Sequence, residues 1–269
     1  MLLAQTTCAP LLSYIPMYLP KPIRYLCQMN IVGCVIHLRR ATSRLKPATD
    51  LQDQCGVPCG ILDAVDGGQM DAAGIASVYQ PALIKPHYPF QLGAGEVGCF
   101  LSHRNAWQKL LKTEADAVLI LEDDMQITDG FQDAMALAQR IVVTMGYVQF
   151  QTRVGTGVIL DTEGLAKLYR PAVTPLRTSG QLVSRQAAEH LLHLTQRFDR
   201  PVDTFLQMHW HTGIHAAVIT PSGIKDIADS AGGSTITKSK SITEKLSREW
   251  HRMRYRRAVA RLSSKDQIK

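Results

Sequence analysis

A chain of 269 residues, 45% hydrophobic and 20% charged, has the make-up of a globular protein with a well-buried core, which excludes whole-chain disorder. Its formal charge of +7 is concentrated: residues 238–269 hold eleven Lys/Arg against three Asp/Glu, a net of +8, leaving about −1 for residues 1–237. The folded body therefore lacks the basic surplus of a nucleic-acid binder.

Residues 1–28 are moderately apolar, but Pro10, Pro16, Pro20 and Pro22 interrupt them and the first basic residue is Lys21, so they do not read as a secretory signal. They are expected to be an extension ahead of the core fold. No run is long and apolar enough to span a bilayer. Ile31–Leu38 is a continuous apolar run and predicts a buried parallel strand, with Arg39, Arg40 and Arg44 leading into a helix. Gly60–Val65 predicts a second short strand, closed by the turn signal Asp66-Gly67-Gly68. In residues 71–94, Pro81, Pro86 and Pro89 argue for a loop. Glu96–Lys112 reads as a helix, and Ala117–Leu121 is the strongest strand, running directly into Glu122-Asp123-Asp124. A helix at Phe131–Arg140, a strand at Tyr147–Phe150, a helix at Arg185–Gln196 and a strand at His215–Thr220 continue the alternation. Such alternation predicts an α/β layer fold with a largely parallel sheet. The division expected is extension 1–28, core domain 29–236 and basic tail 237–269. The six cysteines fit no zinc-knuckle spacing and are expected to be reduced thiols.

Three consecutive acids after a buried strand are poorly placed for structure, since ligands of open α/β sheets collect at the carboxyl ends of strands. Adjacent carboxylates repel unless a cation or proton lies between them. Hard oxygen donors favour Mg²⁺ or Mn²⁺, which commonly bridge to substrate phosphates. The competing reading is a solvated acidic turn with an Asp as helix N-cap.

Around this point the sequence resembles the family 25 glycosyltransferases, which include bacterial lipooligosaccharide galactosyltransferases and collagen galactosyltransferases. Five ordered blocks across roughly residues 30 to 235 carry the resemblance: Val35–Arg40 with Arg44, Asp63–Gly67, Gly95–His103, Leu119–Asp124 and Pro201–Asp203. The resemblance implies a GT-A-type nucleotide-sugar fold and an inverting, Mn²⁺-assisted transfer (Mg²⁺ as the alternative ion) from a UDP-sugar, galactose foremost. Glu122 and Asp124 then become the metal ligands, with Asp123 beside them at the cofactor. Arg39, Arg40 and Arg44 can grip the donor phosphates, and Asp66 can bond the ribose or base, although Asp-Gly is also a good turn. Glu96, Ser102 and His103 share a helix face and are read as donor-binding. An inverting transfer needs a carboxylate to deprotonate the acceptor hydroxyl, for which Asp203 is the candidate, with an N-cap role as its rival. His209, His211 and His215 match no secure metal spacing. Where relatives commonly carry Tyr, this chain has Gln181, so sugar specificity does not transfer by resemblance.

In the tail, Ile242, Leu246, Trp250 and Met253 recur at helical spacing among Lys245, Arg248, Arg252, Arg256 and Arg257. This reads as a basic amphipathic helix suited to an anionic membrane surface carrying a lipid-linked glycan acceptor, with a helix packed on the domain as the alternative. Together these readings predict a hexosyltransferase extending a lipopolysaccharide or lipooligosaccharide, cytoplasmic and peripheral to the inner membrane face, with no nucleic-acid partner. The alternatives are another metal-dependent nucleotidyl or phosphoryl enzyme, or a nonenzymatic membrane- or RNA-binding module.

Overall fold

Strand β1, Ile31–His37, lies between two parallel neighbours, β2 (Cys59–Asp63) and β3 (Ala117–Glu122). The computed structural model describes residues 29–153, 156–227 and 242–266; the 1–28 extension, and the side chains of Ile242 and Leu246, lie outside the described residues. The sheet continues from β3 through β8 (Gly180–Ser184), β5 (Tyr147–Phe150), β9 (Ala217–Thr220) and β7 (Ala166–Arg170) to β6 (Val158–Glu163). Strands β8 and β7 run against the other six, so the sheet is mostly parallel, as the strand–helix alternation predicts. A small antiparallel ribbon, β4 (Met125–Ile127) with β10 (Ile224–Asp226), stands beside the end of β3.

Both faces of the central strands are covered, which is why they read as unbroken apolar runs. Side chains alternate across the sheet. On one face, Val35, Leu119 and Leu121 pack with Leu51 of α1 (Leu45–Gln54) and Phe131 and Ala138 of α4 (Phe131–Met145). On the other, Cys34, Ile36, Val118 and Ile120 pack with Phe100 and Trp107 of α3 (Ala94–Leu111) and Leu191 of α5 (Arg185–Leu194). Cys34, Cys55, Cys59 and Cys99 carry free thiols. No helix among the described residues is long and apolar enough to cross a membrane.

The structure corrects the loop expected over 71–94. Asp71 accepts a hydrogen bond from the Gly74 amide (2.7 Å) and starts a short helix, α2 (Ala72–Val78). The prolines hold only the remainder irregular. Two short helices follow α5: α6 (Val202–Leu206) and α7 (His209–Thr212). In α6, Pro201 occupies the N-cap position and Asp203 sits inside the first turn, so the expected N-cap role falls to another residue.

The tail forms the long helix α8, Ile242–Asp266. Its docking face is Tyr255, Val259 and Ser263, all buried. This face differs from the Trp250/Met253 stripe singled out by spacing; those two side chains remain 49% and 39% exposed. Tyr255 is fastened by the fully buried Arg200, whose guanidinium donates to its hydroxyl (2.8 Å) and to the Ile84 carbonyl (2.6 Å) while pairing with Asp199 (2.6 Å). A buried arginine is tolerable only when its donors are satisfied in this way.

Candidate active site

Because β1, β2 and β3 are parallel and in register, their carboxyl ends bring His37, Asp63 and Glu122 to one edge of the sheet. The antiparallel β8 enters at the same edge: the Glu122 amide bonds to the Ser179 carbonyl (3.0 Å), which delivers Arg177 and Thr178 beside the acids. The ribbon adds Asp226, anchored where the Ile227 amide bonds to the Asp124 carbonyl (2.8 Å).

The three acids have separate environments. Asp123 is buried and engaged on both oxygens, by His37 Nδ1 at 2.7 Å and by Arg44 at 3.2 Å. It therefore holds His37 and Arg44 in place instead of facing solvent. Glu122 Oε1 accepts from Thr178 Oγ1 (2.7 Å) and lies 3.3 Å from His103 Nε2. Burial pushes its carboxyl upward, but the His103 hydrogen bond, then Thr178 and Arg177, outweigh it and hold the pKa below the ordinary value. Asp124 behaves oppositely. Burial first, then the Glu122 charge, with Asp123 and Asp226 adding to it against Arg44, raise it from 3.8 to about 7. Its Oδ1 is buried and has no hydrogen-bond partner, while Oδ2 lies 3.6 Å from Arg44. An orphaned carboxylate oxygen in a crowd of like charge is a fitting donor for a hard cation. The residues present thus suit Mn²⁺ or Mg²⁺ at Glu122 and Asp124.

His103 is set by Gln181, a polar residue wholly buried in a central strand. Gln181 Nε2 donates to the Thr178 carbonyl (2.9 Å) and lies 3.1 Å from His103 Nδ1. An amide donor at Nδ1 puts the imidazole proton on Nε2, facing Glu122. Replacing His103 by Leu leaves only Thr178 and Arg177 against the desolvation of Glu122, so proton and cation compete for it. Mn²⁺ affinity is expected to fall about 10- to 100-fold in a titration calorimeter, and unchanged affinity would refute the coupling.

Asp203 enters from α6. Its Oδ2 accepts from the Arg177 amide (3.2 Å) and its Oδ1 from the Thr204 amide (2.6 Å) and hydroxyl (3.1 Å). Arg177 has φ of 84°, a left-handed backbone that a bulky residue adopts only when held, and its guanidinium pairs with Asp226 at 2.7 Å. Cys99, an exposed residue of α3, lies amid these groups: local desolvation of its sulfur, then the charges of Glu122, Asp203, Asp124 and Glu96, push its thiol up. Among the described residues, Cys99, His103 and Glu122 also form a group of potential metal donors whose ligand atoms lie within 4.8 Å of one another.

The remaining predicted residues are distributed more widely. Arg39 pairs with Asp63, and Arg40 with Asp66 at 2.7 Å, both near the surface. Asp66 also accepts from the Gly68 amide (3.0 Å), which closes the predicted turn, and the Arg40 hydrogen bond holds its carboxyl below the usual range. Glu96 accepts from the Gly93 amide (2.7 Å) and so caps α3. Ser102 is buried, donating to the Gly98 carbonyl (2.7 Å) and accepting from the Val65 amide (2.8 Å), which ties α3 to the Asp66 turn. Gly98 is needed there: a Cβ would meet the Val65 carbonyl oxygen at 2.5 Å. His209 and His215 are ring neighbours, their centroids 4.5 Å apart. His37, Arg177, Thr178 and Asp226 were not singled out from sequence. His37 did carry a signal, as a polar residue ending an apolar strand, whereas Arg177 and Thr178 lie in an irregular stretch and Asp226 ends a three-residue strand too short to show periodicity.

The family model described as glycosyltransferase family 25 (LPS biosynthesis protein) matches residues 31–206. A glycosyltransferase 25 family member of Drosophila melanogaster is 29% identical over 126 residues, 46% of this chain and 20% of that protein. Procollagen galactosyltransferase 1 of Danio rerio is 35% identical over 100 residues, 35% of this chain and 16% of that protein. An inactive glycosyltransferase 25 family member 3 of Homo sapiens is 33% identical over 75 residues, 27% of this chain and 13% of that protein. The matched stretch thus spans a fifth or less of these relatives' length.

Proposed function

The chain belongs to glycosyltransferase family 25, and from that premise we propose that it is an active, metal-dependent, inverting hexosyltransferase using a UDP-sugar, galactose foremost. The acceptor in this reading is a lipid-linked glycan of the lipopolysaccharide or lipooligosaccharide type. The observation that carries it is Asp124 Oδ1, buried without a partner beside Glu122 at the carboxyl end of β3. Glu122 and Asp124 would hold a divalent ion, which when bound would supply Lewis-acid stabilisation of the departing diphosphate.

The chain's own residues do the rest. Arg44, steadied by Asp123, directs a planar donor fork toward the donor phosphates, with Arg39 and Arg40 available at the rim. Thr178 and His103 hold Glu122 as a carboxylate. Asp203, with the Arg177 turn fixed on it, takes the proton from the acceptor hydroxyl as that oxygen attacks the anomeric carbon. The galactose assignment draws on the likeness to a procollagen galactosyltransferase and on the resemblance, and a uridine base is carried from the same source.

A donor screen tests this directly. Purified protein with Mn²⁺ is expected to release UDP from UDP-galactose faster than from UDP-glucose or UDP-N-acetylglucosamine, and chelation is expected to stop release. Release only from a non-uridine donor would overturn the base assignment. No release from any sugar nucleotide, with phosphoryl or nucleotidyl turnover instead, would overturn the transferase reading.

A further inference from the structure

The outward side of α8 has a composition that a merely solvated helix does not need. With Tyr255, Val259 and Ser263 turned inward, helical spacing sets Trp250, Met253, Arg254, Arg257 and Arg261 on the opposite side. Trp250 and Met253 are the two large apolar side chains exposed on the described part of this helix. The Arg254 guanidinium stands over the Trp250 ring, 4.7 Å from its centroid, keeping charge and aromatic surface together. Glu249, at the edge of this side, pairs with Arg252 and lies 3.9 Å from Arg256. No carboxylate among the described residues pairs with Arg254, Arg257 or Arg261.

We infer that this face of α8 is a docking surface for an anionic lipid bilayer, with Trp250 and Met253 seated at the headgroup boundary and Arg254, Arg257 and Arg261 on lipid phosphates. Charge complementarity selects that occupant: the arginines attract an anionic surface, and an exposed Trp beside a Met suits a boundary that is wet on one side and apolar on the other. The inward side of the helix is also joined, through a chain of ring contacts, to the neighbourhood of Asp203. Arg248 lies over Phe90 at 4.4 Å, Phe90 meets Tyr88 edge-on at 5.6 Å, and Tyr88 meets Tyr255 edge-on at 5.5 Å. The Tyr88 phenol in turn feels the charges of Glu96 and Asp203. Docking through α8 therefore brings a membrane-anchored acceptor to the side of the molecule where Asp203 stands. That consequence rests on the transferase reading; the docking itself does not.

Point changes on the outward face test the idea better than truncation, because removing α8 strips Tyr255 from the buried Arg200. The full chain is expected to float with phosphatidylcholine vesicles containing phosphatidylglycerol and not with phosphatidylcholine alone, and added salt is expected to weaken the binding. Arg254→Glu, Arg257→Glu and Arg261→Glu together should reduce binding about a hundredfold, with the melting temperature and Mn²⁺-dependent UDP release unchanged. Brominated lipid should quench part of the wild-type tryptophan fluorescence, and Trp250→Phe should abolish that part. Equal flotation with neutral vesicles, full binding by the triple variant, or quenching that survives Trp250→Phe would each overturn the proposal. Tighter binding of single-stranded RNA than of anionic vesicles at the same salt would do so as well. Flotation is read without turnover, so its failure leaves the transferase reading standing, and a failed donor screen leaves flotation to be judged alone.

Discussion

Replacing Asp124 by Asn is expected to lower Mn²⁺-dependent kcat/KM about a thousandfold while making the metal-free protein more stable above neutral pH. The two effects share one cause. Asp124 is largely buried beside Glu122, Asp123 and Asp226, and its folded-state pKa of about 7 stands well above the 3.8 of the free side chain. The folded state therefore binds this proton more tightly than the unfolded chain does. Metal-free stability falls as pH rises from about 4 to about 7, by on the order of a few kcal/mol, and stays low above that. This is the reverse of an ordinary ion-paired aspartate, which stabilises at neutral pH. A bound cation reverses the preference by favouring the carboxylate. Mn²⁺ should consequently raise the wild-type melting temperature more at pH 8 than at pH 5, and should not raise that of Asp124→Asn. Asparagine keeps the side chain's shape without its charge, so its metal-free form should melt higher than wild type at pH 8. Retained turnover in the variant, or a Mn²⁺ shift that persists in it, would remove Asp124 from the metal site.

The elements that place Asp124 were legible because they are doubly covered. Strands β1 and β3 are apolar on both faces, so they appear in the sequence as unbroken runs, and the acids that end β3 interrupt that pattern sharply. The residues around them were harder to find for the same physical reason in reverse. Strand β8 lies between β3 and β5, yet it is short and carries Gly180 and Gln181, whose polar side chain is fully buried by virtue of its bonds to His103 and Thr178. Nothing in hydrophobic periodicity marks such a strand. Strand β6 is an edge strand with mostly exposed residues, Val158 and Ile159 among them, so no alternation announces it. Long-range pairings such as Arg177 with Asp226, 49 residues apart, exist only once the ribbon and the β8 turn have met. The tail shows a subtler limit. Its helix was readable, but two apolar stripes compete on it, and only tertiary docking on Arg200 decides that Tyr255 faces inward and Trp250 outward.

Asp203→Asn is expected to reduce the rate of sugar transfer by about 10²- to 10⁴-fold with little change in Mn²⁺ or UDP affinity, and this variant separates two roles that the wild-type geometry combines. As a structural residue, Asp203 holds the left-handed turn at Arg177 through Oδ2 and the first turn of α6 through Oδ1. Asparagine preserves a carbonyl oxygen for one of these bonds, and its volume is nearly the same, so the loop should survive. What it cannot do is accept the hydroxyl proton of an attacking acceptor. A pure positioning role would therefore show itself differently: Asp203→Asn would retain most of its kcat, while Asp203→Ala, which releases the Arg177 turn and loosens the Arg177–Asp226 pair, would raise the KM for donor and metal. A base role predicts that both variants lose kcat and that Asp203→Asn does so with the donor still bound. Saturation kinetics in donor and acceptor, alongside Mn²⁺ titrations of both variants, distinguish these outcomes. The second result assigns the proton to Asp203, and the first moves it to another group near the Arg177 turn.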